Sequence, residues 1–128
     1  EPWFGFYWAP TSVLGKYPMT LVDMAPHDRE KHACNITAEC ETPEMSAFPR
    51  SVVVTVLSKE FMAENAEVSD LMTNLSFTNA QMGATLAWVE DNNASYDEGA
   101  AHFLTTYKDV WGPWLNDAAR DNLSALLQ

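Results

Sequence analysis

Nowhere in this chain do apolar residues run on for the roughly 18 positions that crossing a bilayer requires. Its first residues show neither the basic start nor the apolar stretch of a signal peptide. Basic residues are scarce as well, with 7 Lys and Arg against 18 Asp and Glu and a formal net charge of −11. Such a field repels phosphate backbones and anionic lipid head groups, so nucleic acid is excluded as a partner and solubility is favoured. Internal repeats and low-complexity tracts are missing too. What remains is 128 residues, 47% of them hydrophobic and 12% aromatic, which is ample for one core and argues against disorder.

Cysteine is limited to two positions, Cys34 and Cys40. They lie in a polar loop at a separation short enough for a local disulfide, which implies an oxidising compartment. So short a closed loop stabilises modestly, and its role is to pin a surface excursion. Two other readings compete. A metal site could join the cysteines to His27 and His32, although the spacing lacks the Cys-x2-4-Cys pair of structural zinc sites. A thiolate nucleophile beside His32 is the one sequence-local route to catalysis, and oxidation would abolish it.

The pattern predicts about three strands followed by four helices. Aromatic residues 5–8 fit a short buried strand, and Thr11 to Lys16 a short helix behind Pro10. Thr20 to Met24 reads as a second strand, and Ala25 to Pro49 as a long Pro-punctuated excursion. The β-branched run Ser51 to Leu57 is the strongest strand signal, of the kind covered on both sheet faces. Val68, Leu71, Met72 and Leu75 line one helical face. Thr78 with Gln81, and Ser95 with Glu98, have capping-box spacing. The first box opens a helix with an inner face of Met82, Leu86 and Val89. The second opens one carrying Ala100, Phe103, Leu104, Tyr107 and Trp111 up to the Gly112-Pro113 break. A last helix runs from about Asp117 to Leu127.

Bottom-up, the constellation that stands out is the start of the chain, Glu1-Pro2-Trp3-Phe4-Gly5-Phe6-Tyr7-Trp8. It reads like the middle of a strand, and it is expected to come from a processed product or a piece of a longer chain. Alternation sends Phe4, Phe6 and Trp8 to one face and Trp3 and Tyr7 to the other. Trp8 stands at a strand end before a helix start, where open α/β sheets place their ligand cleft. His102 reads as a surface or satisfied helix residue. The acidic pairs Glu90-Asp91 and Asp97-Glu98 read as solvent-facing charge at helix termini. Four Asn-x-Ser/Thr tripeptides, at Asn35, Asn74, Asn93 and Asn122, are treated as chance.

Gly5-Phe6-Tyr7-Trp8-Ala9-Pro10, with Lys16-Tyr17 after it, resembles the G-x-x-W-x-P segment of the glycine betaine/proline substrate-binding proteins of ABC importers. His32-Ala33-Cys34 with Cys40, the stretch from Ser51 to Phe61, Asn79 to Asn92 and Asp109-Val110-Trp111 continue the resemblance across essentially the whole chain. It implies an α/β fold of the type II periplasmic-binding-protein kind, present in part and possibly completed by another chain. Residues 1–50 would end lobe two with the aromatic ligand segment and the cysteine loop. Residues 51–128 would be the return strand and C-terminal helices of lobe one.

The resemblance also implies a binding protein and no enzyme, one that captures glycine betaine, choline or a related quaternary-ammonium osmolyte. It would work outside the cytoplasm with a membrane permease and an ATPase, without metal or cofactor. A quaternary ammonium has no N–H to donate, so negative aromatic faces can select it where hydrogen bonds cannot. Trp8 matches the family's cage Trp, with Tyr7 and Trp3 as neighbouring rings. Many members follow the Pro with His and Trp, where this chain has Thr11 and Ser12; Thr11 could donate its hydroxyl to the ligand carboxylate, and the choice of ligand stays open. The rival reading is an acidic, self-associating interaction module, or a truncated remnant without ligand binding. Either a homodimer or a complex with a missing N-terminal half would cover the open sheet.

Overall fold

Most helices in this chain begin where a short polar side chain takes up a first-turn amide. A computed structural model describes residues 4–127, and Thr11 there caps α1 (Ser12–Lys16). Asp28 caps α2 (Arg29–Asn35), accepting from the Glu30 and Lys31 amides at 3.0 Å each. Ser58 caps α3 (Lys59–Glu64), and α4 (Ala66–Asn74) follows after Asn65. Both anticipated capping boxes form. Thr78 with Gln81 opens α5 (Asn79–Asp91), and Ser95 with Glu98 opens α6 (Tyr96–Thr106). The chain continues through α7 (Lys108–Trp111), a 3-10 turn at Gly112–Trp114, and α8 (Asp117–Leu126) under an Asn116 cap.

The α/β expectation is corrected: among the described residues there is no strand, and the regular structure is helical. Residues 5–8, Thr20 to Met24 and Ser51 to Leu57 have the composition of strands but no backbone pairing to one another. A strand exists only through its neighbour. Val53 is accordingly 97% exposed, with Val52, Val54 and Val56 also in solvent. β-branched composition reports suitability for a covered sheet, and among the described residues no sheet forms to cover these valines.

The chain divides into two compact units, Glu1–Met19 with Thr55–Gln128, and Thr20–Val54. In the first, α5 is the central element, packed against α1 and against α6. Gly15 and Gly83 bring the backbones of α1 and α5 together, and Gly99 of α6 lies against the Val89 side chain. Gly83, Thr85 and Ala87 of α5 are buried, while Met82, Leu86 and Val89 are half-buried toward α6. α5 therefore lacks a single apolar face.

The helix expected to run unbroken to Trp111 is interrupted at Tyr107, which leaves helical geometry with φ −113° and ψ 48°. Trp111 explains what is gained: its indole is 2% exposed, and its Nε1–H donates to the Leu104 carbonyl at 2.6 Å. The 3-10 turn packs against α4 and is tied to α8 by Arg120, which donates to the carbonyls of Gly112 at 2.9 Å and Leu115 at 3.0 Å.

The second unit puts α2 inside what the sequence presents as one long loop. Cys34 in its last turn is bonded to Cys40, with Cα atoms 5.1 Å apart. Asn35 holds the Glu44 backbone from both sides, donating to its carbonyl at 2.7 Å and accepting from its amide at 3.2 Å. Lys31 pairs with the Glu44 carboxylate at 2.8 Å. His27, His32 and Phe48 form a chain of edge-on rings with centroids 5.2 Å and 5.6 Å apart.

Candidate functional site

The aromatic segment leads directly into α1. Phe6 and Trp8 meet edge to face with centroids 5.5 Å apart, as two rings on one side of an alternating stretch should. Trp8 is 68% exposed and Tyr7 48%, so both present π faces to solvent. Trp3 lies outside the described residues. Ala9 and Pro10 connect the rings to Thr11, whose Oγ1 accepts from the Leu14 amide at 3.5 Å. That cap uses the hydroxyl oxygen and leaves the hydroxyl proton to be donated elsewhere.

The structure shows how this segment is fastened, and sequence reasoning missed the fastening. None of the α1 residues is buried. Instead Lys16 Nζ reaches Glu90 Oε1 at 3.0 Å and Asp91 Oδ1 at 2.6 Å, at the end of α5. The Ser12 hydroxyl, and after it Lys16, holds the Glu90 carboxyl below its usual range, while the two carboxylates push the Lys16 ammonium upward, Asp91 first. Glu90 and Asp91 are thus partners of Lys16 and not idle surface charge. The signal available in the sequence was a basic residue in the last turn of one helix and an acidic pair ending another, which does not say that the two helices touch.

Glu98 is likewise engaged. The Ser95 amide and then its hydroxyl hold the Glu98 carboxyl below its usual range, with the amide donating at 2.7 Å. His102 stacks on Trp88 with centroids 4.1 Å apart and planes 3° from parallel, joining α6 to α5. An apolar pocket of about 360 Å³ opens between these helices, lined by Phe77, Met82, Leu86, Val89, Phe103 and Trp114 among others, with no residue of the aromatic segment in its wall.

Cys34 and Cys40 are used by each other, which leaves neither thiolate nor thiol ligand. Among the described residues no three His, Cys, Asp or Glu side chains are grouped as metal ligands, and no helix is long and apolar enough to cross a membrane. What the site offers chemically is two exposed aromatic faces and one hydroxyl proton on a short helix-anchored segment.

The family model described as the substrate-binding domain of the ABC-type glycine betaine transport system matches residues 1–106. The match takes in the aromatic segment, the disulfide and all of α5 and α6. No curated protein matches the chain.

Proposed function

The chain belongs to the family of substrate-binding domains of ABC-type glycine betaine transport systems, and we propose that its aromatic segment captures a quaternary-ammonium osmolyte for import. Trp8 and Tyr7 supply the π faces that attract the trimethylammonium group, with Trp3 as a further ring. Thr11 donates its hydroxyl proton to the ligand carboxylate. Glycine betaine is the leading ligand, with choline and other betaines as relatives of the same chemistry. The protein works outside the cytoplasm and delivers ligand to a membrane permease driven by an ATPase. Glu1–Met19 and Thr55–Gln128 form one compact unit, and capture is expected to need both lobes of the binding protein, so this chain alone binds ligand weakly.

The observation that carries this reading is the exposure of Trp8 and Tyr7 in a segment that lies within the family match. A large ring left in solvent next to a fixed helix is suited to a ligand rather than a core. Titration calorimetry with glycine betaine, choline and proline tests it, using the binding protein with both lobes present. Trp8→Ala is expected to weaken betaine binding by about 1–2 kcal/mol or more. Binding of proline with no response to any quaternary ammonium would overturn the reading.

The exposed valines of residues 52–56 favour a second one, self-association of an acidic module. Apolar surface of this kind is covered by another chain in a homodimer or in a complex with a further segment of the same protein. Light scattering at micromolar concentration separates the two. A stable dimer with no ligand response supports self-association alone, and a monomer removes it.

A further inference from the structure

A five-residue helix cannot hold itself together in water, because the cost of nucleating it outweighs the few hydrogen bonds it closes. α1 fully buries none of its residues, and Val13 is its one half-buried apolar side chain, so apolar packing contributes little to holding it. Its attachment to α5 includes the Gly15–Gly83 backbone approach, the Ser12 hydroxyl on the Glu90 carboxylate and the fork from Lys16 to Glu90 and Asp91. A single exposed ion pair contributes little. Here two carboxylates converge on one ammonium, on a lysine side chain that is 22% exposed, and the contact joins residues 74 apart in sequence.

The connection from this fork to the rings has little slack. Only Ala9, Pro10 and the cap residue Thr11 separate Trp8 from α1, and the Pro10 ring fixes its own φ. The Thr11 carbonyl accepts from the Gly15 amide at 3.2 Å and borders Gly83. A displacement of α1 is therefore passed on to Trp8.

We propose that Lys16 is a positioning residue for the ligand-binding rings, holding α1 on α5 so that Trp8 keeps its orientation. The proposal rests on reading Trp8 as a ligand ring. Removing the ammonium frees α1 and lets the aromatic segment drift, while the core around Trp111 is untouched. Arginine at the same position keeps the charge and reaches both carboxylates, so it preserves the function that methionine removes.

Fluorine NMR on the chain labelled with 5-fluorotryptophan reads this without ligand, the Trp8 line being assigned by its loss in Trp8→Phe. In Lys16→Met the Trp8 line is expected to shift or broaden while the Trp111 line stays, and in Lys16→Arg the Trp8 line returns. The pair Glu90→Gln with Asp91→Asn, which leaves Lys16 in place, should repeat the effect. An unchanged Trp8 line in Lys16→Met overturns the proposal, as does a Trp111 line that moves with it, since that marks general loss of structure. In the two-lobe protein, Lys16→Met should raise the Kd for glycine betaine about threefold or more, and an equal Kd also overturns it. Should the unmodified two-lobe protein fail to bind glycine betaine, the functional reading fails, and the fluorine lines alone decide the positioning role.

Discussion

Gly15 and Gly83 meet backbone to backbone, and the contact is asymmetric: a Cβ on Gly15 would overlap the Gly83 carbonyl, whereas one on Gly83 would rest at ordinary contact, 3.5 Å from the Thr11 carbonyl oxygen. Gly15→Ala should therefore separate α1 from α5 at a cost of about 1–3 kcal/mol, as overpacking against rigid backbone does. Gly83→Ala, in the interior of a 13-residue helix, should be neutral or stabilising by up to about 1 kcal/mol from helix propensity. Urea denaturation of the two variants checks the contrast, and equal losses in both would remove it.

Trp111 combines the most complete burial with a hydrogen bond to the Leu104 carbonyl. Trp111→Ala should cost about 3–5 kcal/mol through the cavity it leaves. Trp111→Phe keeps much of the ring and strands the carbonyl, a loss of about 1–3 kcal/mol. The same denaturation measurement, read at constant slope, tests whether the phenylalanine variant falls between the parent and the alanine variant.

The α1–α5 link has a pH window. The Glu90 carboxyl is held below the usual 4.5 by Ser12 and then Lys16, so its contribution is present above that value and is lost as pH falls through the lowered one. The Lys16 ammonium is raised above 10.5 by Asp91 and then Glu90, so its contribution is full below 10.5 and is lost as pH rises through the raised value. The fluorine line of Trp8 in the 5-fluorotryptophan-labelled chain should stay constant from about pH 5 to 10 and change at the acid end. A transition near neutrality would contradict the assignment. Salt should weaken the same link, since it is partly exposed.

Cys34 and Cys40 close a short loop at the end of α2, and the chain-entropy estimate for a loop of this length is about 2 kcal/mol. Intact mass with and without reductant should differ by two hydrogen atoms per chain, the reductant supplying two electrons with the two protons. Cys34→Ser with Cys40→Ser should speed amide exchange in residues 29–47 and leave α5 and α6 unchanged. Faster exchange in α5 would mean that the bridge supports more than its own unit.

Much of the helical half was legible because its signals are local. Thr78 with Gln81 and Ser95 with Glu98 state both ends of a reciprocal hydrogen bond within four residues. The helix α2 was hidden by its setting in a Pro-punctuated stretch, although Asp28 capping it is an ordinary start signal. The face expected on α4 was misjudged at both ends: Val68 and Leu75 are exposed and Ser69 is buried, its hydroxyl donating to the Asn65 carbonyl at 2.9 Å.

The strands at residues 5–8, Thr20 to Met24 and Ser51 to Leu57 failed because strand composition describes a surface to be covered, and the covering partner is information no local window contains. Trp8, Tyr7 and Thr11 were legible as candidates through the aromatic cluster and the family resemblance. Lys16, Glu90 and Asp91 were not, since their meeting depends on how α1 lies on α5.

The distance in sequence between Lys16 and Glu90 also orders events in time. Synthesis runs from the N-terminus, and the 74 residues added after Lys16 to reach Glu90 take roughly 4–15 s at about 5–20 residues per second. During that interval Phe6, Tyr7 and Trp8 are already made, but α5 is not yet complete enough to seat the short helix behind them. The aromatic segment, translated before α5, thus acquires its shape late, and its rings remain open to chaperones or to self-adhesion until α5 is in place.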